Sequence, residues 1–490
     1  MVTSSERQRP DAAAATGRAL PAPARGPGPV RWALAGLSLS ALLSSLGTSS
    51  ANVALPGLAR AFDASFQQVQ WVVLAYLLAV TALIVGAGRL GDLLGRRRLL
   101  LAGILLFTAA SLLCGAAPTL GVLIAARAAQ GLGAAVLMAL TLAFVGETVP
   151  KERTGRAMGL LGTMSATGTA LGPSLGGLLI SGFGWRAVFL VGVPLGLVSL
   201  LLVHRHVPAD RAWPGAPRTA FDRVGTVLLA LTLTAYALAM TLGHGRIGAL
   251  GVVLLVVAGA GAVAFVRAEA RAVAPLVRPA MFRDPALSAG LAMSALVSTV
   301  IMATLVVGPF YLSRGLGLQD ALVGLALSAG PLVAALSGVP AGRVVDRFGA
   351  HRTTVAGLAA SAVGCVLLSL TPTAFGVLGY VVPLVVVTGG YALFQTANNT
   401  AVLADVAPDR RGVTSGMLHL SRNLGLITGT SVMGAVFAAA SATDDVTTAG
   451  SGAVATGMRV TFAVAAVLVL LALAVAATGR VLTRRPAQGS

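Results

Sequence analysis

The sequence has little of what a soluble protein needs on its surface. Only 10% of its 490 residues are Asp, Glu, Lys or Arg, whereas 56% are hydrophobic, and a soluble domain of this length would need far more polar surface. The 16 acidic residues are outnumbered by 35 basic ones, for a net charge of +19. These basic residues fall in short gaps between apolar runs, which excludes a nucleic-acid-binding protein. We therefore expect an integral membrane protein.

Cysteine is also scarce. The only two, Cys114 and Cys365, lie inside apolar runs, so a disulfide framework and a cysteine metal site are excluded and inert packing is expected. The sequence has no nucleotide-binding loop and no metal or nucleophile constellation. We therefore expect no enzymatic activity, no cofactor, no metal and no use of ATP. The single lysine, Lys151, and a bias towards Ala, Gly and Arg favour a bacterial source.

Long apolar runs occupy most of the chain. A helix needs about 20 apolar residues to cross the roughly 30 Å of hydrocarbon in a bilayer. The predicted fold class is all-α integral membrane with fourteen transmembrane helices. The fourteen runs lie at about 32–57, 69–90, 99–117, 119–145, 155–182, 185–203, 222–243, 247–266, 286–313, 322–343, 353–372, 375–404, 411–440 and 456–480.

The distribution of basic residues predicts the orientation. If the N-terminus is cytoplasmic, the segments on that side contain 28 of the 35 basic residues and the segments on the other side contain five. The remaining two, Arg127 and Arg422, lie inside spans. Because cytoplasmic loops are enriched in Lys and Arg, we predict a multi-pass protein of the cytoplasmic (inner) membrane with both termini in the cytoplasm.

An arginine-rich hairpin between spans occurs twice. It reads GRLGDLLGRRRLL at 88–100 and GRVVDRFGAHR at 342–352, which is 254 positions later. A duplicated element at this separation indicates two related halves. The predicted units are a disordered cytoplasmic tail at 1–30, a six-helix bundle at 31–204, a linker with two inserted helices at 205–285, a second six-helix bundle at 286–482 and a cytoplasmic tail at 483–490.

The hairpin residues suggest a breakable cytoplasmic latch. Gly88 and Gly95 permit close approach and tight turning of two helix ends. Asp92 can accept hydrogen bonds from arginines or from the N–H groups of a helix N-terminus, whereas Arg96 and Arg97 can serve the latch or only set topology. In the second copy Ala350 and His351 replace these two arginines, so the first copy is the better candidate. The predicted latch residues are Gly88, Asp92, Gly95, Arg96, Arg97, Gly342, Asp346 and Gly349.

Polar residues inside the spans are candidates for coupling or for lining a cavity. Arg127 is costly to insert and is expected to face a cavity beside Gln130, unless it extends to the outer surface. His419 shares a helix face with Arg422 and could either carry a proton or bond a neighbouring carbonyl. The polar residues of span 12 could line a cavity or join helices. They are Gln395, Asn398 and Asn399.

Span 5 contains a stripe of glycines. Gly168, Gly172 and Gly176 recur every four residues and allow another helix to approach closely. Pro173 removes a backbone donor and bends the helix, and Gly177 follows the stripe. Such a contact could seal a gate or could be plain helix packing.

Several motifs resemble the major facilitator superfamily, and within it the fourteen-helix drug:proton antiporter branch. They are the hairpin at 88–100, RAAQGLGAA from Arg127, GTALGPSLGG from Gly168, and ANVALPGLARAF from Ala51, which contains Asn52. The resemblance implies a fold of two six-helix bundles plus two inserted helices. One position departs from the branch, because Gly47 stands where its members commonly have an aspartate that binds protons.

The resemblance implies a secondary active transporter that exports amphipathic organic compounds, such as a drug or antibiotic, by alternating access and proton antiport. We expect a small-molecule substrate, a proton as coupling ion and a monomer in the lipid bilayer. The glycine motif of span 5 favours export over a metabolite importer or facilitator. A lipid-handling protein and a non-transporting membrane sensor remain as alternatives.

Overall fold

The computed structural model describes residues 27–148, 154–207, 222–242, 248–272, 275, 279–404, 411–441 and 449–483, and within these ranges the chain forms fourteen long helices. They are α1 (Pro27–Phe62), α2 (Phe66–Leu94), α3 (Arg96–Ala116), α4 (Leu120–Thr148), α5 (Thr154–Phe183), α6 (Arg186–Leu190 and Gly192–His206), α7 (Arg223–Thr241), α8 (Ala249–Arg271), α9 (Pro285–Phe310), α10 (Asp320–Phe348), α11 (Ala350–Leu370), α12 (Gly376–Ala404), α13 (Arg411–Thr428 and Gly434–Ala440) and α14 (Ser451–Thr483).

Thirteen of these helices are long and apolar enough to cross a membrane, which confirms the prediction of an all-α integral membrane protein. The exception is α5, which has 30 residues but a sequence rich in Gly, Ser and Thr. It packs between α1 and α10. A helix that faces other helices needs small residues for close packing more than it needs apolar bulk, so hydropathy alone does not identify α5 as a span.

The repeated hairpins turn at single glycines. Gly95 separates α2 from α3 with φ of 94°, and Gly349 separates α10 from α11 with φ of 82°. Side chains with a Cβ rarely adopt this conformation, which explains a glycine at both turns. The end of the bundle that contains Gly95 and Gly349 is called the hairpin side below, and the other end is called the opposite side.

The first glycine of each hairpin has a different setting from the one predicted. Gly88 lies within α2 and Gly342 lies within α10, and a Cβ built on either residue would meet no atom within 4 Å. The role of Gly88 in bringing two helix ends together therefore stays a prediction. Only Gly95 and Gly349 are required by the turn itself.

Three predicted spans are interrupted. The α6 helix breaks at Val191, three residues before Pro194, which cannot donate a helical hydrogen bond. A π-helical turn at Tyr311–Gly315 follows α9, and another at Gly429–Met433 interrupts α13. Apolar runs in the sequence do not reveal such turns, because one inserted residue leaves the hydropathy of the segment unchanged.

The two halves, α1–α6 and α9–α14, share a packing pattern. In the first half α3 packs along α4, and in the second half α11 packs along α12. Gly103 and Gly357 occupy these crossings and are again 254 residues apart. A Cβ on Gly103 would lie 2.8 Å from Val136 Cβ, and one on Gly357 would lie 2.6 Å from the backbone nitrogen of Phe394. The duplication therefore extends from the hairpin into the bundle.

The inserted helices pack on one side of the bundle. Trp71 Nε1 in α2 donates to Thr241 Oγ1 in α7 at 3.1 Å, and Tyr236 in α7 bonds Thr428 in α13 at 3.2 Å. The α7 helix thus contacts both halves. The α8 helix packs on α7 and exposes a row of valines, as expected for a surface that faces lipid. These are Val252, Val253, Val256, Val257, Val263 and Val266.

We expect Gly357→Ala to lower the melting temperature of the purified protein in detergent. The added Cβ would lie 2.6 Å from the nitrogen of Phe394 and 2.7 Å from the carbonyl oxygen of Gly390. Because backbone atoms cannot rotate away, the clash should cost on the order of 1–3 kcal/mol. The matched control is Gly342→Ala, which enters open space and should leave the melting temperature unchanged or raise it. Equal melting temperatures for the two variants would contradict this packing.

Candidate functional site

The two halves meet most closely where α5 passes α10 on the opposite side. A Cβ built on Gly177 would lie 2.8 Å from both Gly324 Cα and the carbonyl oxygen of Asp320. One built on Gly324 would lie 2.5 Å from the carbonyl oxygen of Pro173. The contact is therefore backbone against backbone, with no room for any side chain at either glycine.

Phe66 and Gln70, at the start of α2, reach across to the second half. The Phe66 ring packs edge-on against Phe310, with centroids 4.7 Å apart, and against Phe437 at 5.5 Å. The Gln70 amide donates to the carbonyl oxygen of Thr430 at 2.9 Å. Thr430 belongs to the π-helical turn of α13, so this irregular segment is part of the contact between the halves.

An ion pair lies at the rim of the same contact. Arg60 at the end of α1 is 3.2 Å from the Asp320 carboxylate, with side chains 56% and 28% exposed. Exposed pairs of this kind contribute about 0–1 kcal/mol. The ion pair is therefore a weak addition to the packing of the glycines and of Phe66.

The described contacts leave the bundle closed at one end. Every hydrogen bond that joins the two halves through described partners lies on the opposite side, at Arg60 and Gln70. The structure therefore corresponds to a state in which the halves are joined on the opposite side.

Arg127 is the largest fully buried polar side chain of the first half, at 1% exposure. Its Nε donates to the carbonyl oxygen of Val72 at 2.9 Å, and its Nη1 donates to Gln130 Oε1 at 2.5 Å. Gln130 in turn donates to Ser111 Oγ at 2.7 Å. The predicted pairing of Arg127 with Gln130 is thus present, and the alternative that Arg127 extends to the surface is excluded.

The Arg127 guanidinium lacks a carboxylate partner among the described residues. It lies 4.2 Å from the centroid of the Tyr76 ring, and its Nη2 is buried without a hydrogen bond. A void of about 10 Å³, lined by Gly47 and other residues, adjoins it, which is room for no more than about one water. A Cβ on Gly47 would be 3.3 Å from the Tyr76 hydroxyl. Gly47, which stands where the fourteen-helix branch commonly has an aspartate, therefore lies beside Arg127.

The glycine stripe of α5 faces α1. A Cβ on Gly168 would lie 2.5 Å from the carbonyl oxygen of Leu42, one on Gly172 would collide with Ser49, and one on Gly176 would be 3.5 Å from the carbonyl oxygen of Ser50. These three glycines therefore serve packing within the first half. Of the predicted set, Gly177 and the carbonyl group of Pro173 contact the second half.

The latch residues remain a prediction, because the side chain of Asp92 lies outside the described part of the structure. Arg97 donates to the carbonyl oxygen of His204 at the end of α6, so it joins elements within the first half. Arg96 is half-buried. Asp346 in the second copy is exposed and forms no ion pair with a described residue.

The polar residues of α12 do not form one cluster with Arg127. The Asn398 amide donates to the carbonyl oxygen of Gly290 at 3.1 Å, which joins α12 to α9 inside the second half. Gln395 is half-buried, with its Oε1 buried and unpartnered among described residues, and Asn399 is half-buried. In the first half, Asn52 donates to the carbonyl oxygens of Thr48 and Ser49 in its own helix.

His419 and Arg422 lie in α13, both half-buried. Within the described ranges His419 makes no hydrogen bond, so the alternative of a carbonyl-bonded histidine is not supported. The Arg422 Nε is buried, also without a partner in those ranges. The two basic side chains therefore remain candidates for contact with a substrate or coupling ion.

Sequence reasoning missed the residues that join the halves. The sequence did not predict the contacts of Gly324, Asp320 and Gln70, because each of these residues contacts a different helix from its own. Tyr76 was also missed, although a tyrosine among the apolar residues of span 2 could have been considered as a neighbour for the buried Arg127.

We expect Gly324→Val to separate α5 from α10 on the opposite side, since the new side chain would occupy the space of the Pro173 carbonyl group. Spin labels at the exposed positions Ala61 and Leu322, in a background lacking the native cysteines, should report a longer distance by pulsed electron paramagnetic resonance. Gly338→Val, in open space on the same α10 helix, is the control and should leave the distance unchanged. An unchanged distance in Gly324→Val would contradict the role of this contact.

The chain is similar to several curated bacterial transporters. It is 30% identical over 403 residues to the riboflavin transporter RibZ of Clostridioides difficile (82% of this chain, 87% of that protein). It is 33% identical over 394 residues to the multidrug resistance protein Stp of Mycobacterium tuberculosis (79% and 72%). It is 31% identical over 461 residues to the probable actinorhodin transporter of Streptomyces coelicolor (89% and 79%).

Solved structures support the same fold. A bacterial homolog of the human lysosomal transporter Spinster, in an inward-facing and unoccupied conformation, superposes with a TM-score of 0.69 at 17% identity, covering 95% of this chain and all of that one. The family profile described as Major Facilitator Superfamily matches residues 37–430 and 287–490. The chain is therefore a multi-pass membrane transporter of the major facilitator superfamily.

Proposed function

We propose that the protein is a secondary active exporter of amphipathic organic compounds that works by alternating access and is driven by proton antiport. The observation that carries the proposal is the contact that joins the two halves on the opposite side. They are joined on the opposite side by the Gly177–Gly324 contact, the Phe66 rings and the Gln70 hydrogen bond, all of which can separate without breaking either half.

We infer the orientation of this contact in the membrane from the basic residues. Cytoplasmic segments are enriched in Lys and Arg, and the hairpins contain Arg96, Arg97 and Arg98 in the first copy. With the hairpin side in the cytoplasm, the structure corresponds to a state that is closed to the outside. A compound would enter from the cytoplasm and leave after the opposite side opens.

The relatives support the substrate class. Several have names that describe drug or antibiotic export, including the multidrug resistance protein Stp and the multidrug efflux pump LfrA. The second candidate is a metabolite carrier, because RibZ is named as a riboflavin transporter and is 30% identical over most of both chains. Both candidates share the alternating-access mechanism and differ in substrate.

Proton coupling needs a group that gains and loses a proton as the halves rearrange. The carboxylate expected in span 1 is replaced by Gly47. His419, beside Arg422, is a half-buried side chain of α13 that can gain and lose a proton. We propose that coupling relies on His419, with the buried charge of Arg127 setting the electrostatic field of the first half.

Everted membrane vesicles with an imposed proton gradient provide the test. Addition of a transported compound should release protons from the vesicles, followed with a fluorescent pH probe, and His419→Ala should abolish this release. A panel of cationic and neutral drugs plus riboflavin separates the two candidate substrate classes. Vesicles that respond to riboflavin and to none of the drugs would contradict the export of drugs. Substrate uptake without proton release would contradict antiport.

We expect Arg127→Gln to lower transport by roughly tenfold or more, because it removes the buried charge that we propose acts in coupling, and coupling free energies between sites are typically about 1–3 kcal/mol. The variant removes donors to Val72 and Gln130 and the cation beside Tyr76. Arg223→Gln changes an exposed arginine and is the matched control. Normal transport by Arg127→Gln, at equal expression and melting temperature, would contradict a role in coupling.

A further inference from the structure

A cavity of about 530 Å³ lies inside the second half on the hairpin side. Its walls come from the hairpin-side ends of α9, α11, α12 and α14 together with the hairpin at Gly349. Among the described residues, all that line it belong to the second half. It is therefore separate from the contact between the halves, and we call it the hairpin-side cavity.

One wall of the hairpin-side cavity is suited to an anion. Arg352 lines it and lies in the first turn of α11, which begins at Ala350 with no side-chain cap. The first N–H groups of a helix have no partner within it and carry partial positive charge. No Asp or Glu is among the described residues that line the cavity. The electrostatics of the wall therefore favour a negatively charged group.

A threonine in the cavity wall also points to a ligand. Thr354 is 5% exposed and lines the cavity, and its hydroxyl forms no hydrogen bond within the described ranges. The neighbouring Thr353 hydroxyl, in contrast, donates to the carbonyl oxygen of Gly349 at 2.9 Å. The Thr354 hydroxyl is therefore available to a group inside the cavity.

The remaining walls are apolar. Side chains such as Ala289, Met293 and Val402 line the cavity opposite the basic wall. The cavity is partly open, and the helices that form it are long and apolar enough to cross a membrane. A ligand that fits must combine an anionic head with an apolar body, and the surrounding bilayer is the direct source of such molecules.

We propose that the hairpin-side cavity binds an anionic phospholipid, with its phosphate held by Arg352, the first N–H groups of α11 and the Thr354 hydroxyl, and with an acyl chain against the apolar wall. Bound lipid would join α9, α11, α12 and α14 at their ends. The site is independent of the substrate that the protein transports.

Lipid binding to the full-length, delipidated protein in detergent tests this site. Native mass spectrometry should detect bound phosphatidylglycerol, and phosphatidylglycerol should raise the melting temperature more than phosphatidylcholine does. Arg352→Gln should weaken binding by roughly fivefold, which is about 1 kcal/mol for one basic residue near a lipid phosphate. Thr354→Val removes the hydroxyl and should also weaken binding. Ala289→Phe should block the cavity and abolish binding.

The matched control is Arg347→Gln, which removes an exposed arginine of the same hairpin that does not line the cavity. This variant should bind phosphatidylglycerol as the unchanged protein does. Undiminished binding in both Arg352→Gln and Ala289→Phe would overturn the proposal. If phosphatidylcholine raised the melting temperature as much as phosphatidylglycerol, the preference for an anionic lipid would be overturned. If inorganic phosphate raised it as much, the assignment to a lipid would be overturned.

Discussion

The contact between Gly177 and Gly324 is the constraint on which the arrangement of the two halves depends. It brings two helix backbones closer together than any side chain would permit, and this proximity places Phe66 and Gln70 of α2 within reach of the second half. Between helices in a bilayer, van der Waals packing replaces the hydrophobic effect as the source of attraction. Small residues at the crossing therefore determine how tightly the halves can close. The Arg60–Asp320 pair at the rim is too exposed to determine this closure by itself.

Arg127 is a second constraint, because a charge inside the membrane needs compensation. Here the compensation comes from neutral groups: the carbonyl of Val72, the amide of Gln130 and the ring of Tyr76. An aspartate at the position of Gly47 would place a negative charge beside this cation. Gly47 supplies no such carboxylate, so the proposed mechanism takes its titrating group from His419 in α13 of the second half.

Much of the fold could be predicted from the sequence, and most of the contacts between helices could not. Apolar runs identify the spans because burial in lipid requires about 20 apolar residues per helix, and the glycine turns at Gly95 and Gly349 follow from a conformation that favours glycine. The Arg127–Gln130 pair was predictable because residues three apart share a helix face. The Gly177–Gly324 contact was not, since sequence periodicity within one helix carries no information about its partner. Similarly, Asn398 gave no indication that it would bond Gly290 inside the second half.

The two copies of the hairpin show how one element can acquire two uses. Both copies turn at a glycine with positive φ and begin the next helix immediately after it. In the first copy Arg96 and Arg97 follow the turn, and Arg97 bonds the end of α6, which joins two elements of the same half. In the second copy Ala350 replaces the first of these arginines, and a side chain as small as alanine leaves space beside the helix terminus. The hairpin-side cavity occupies that region. In the proposal above, a lipid bound in this cavity would join the ends of α9, α11, α12 and α14.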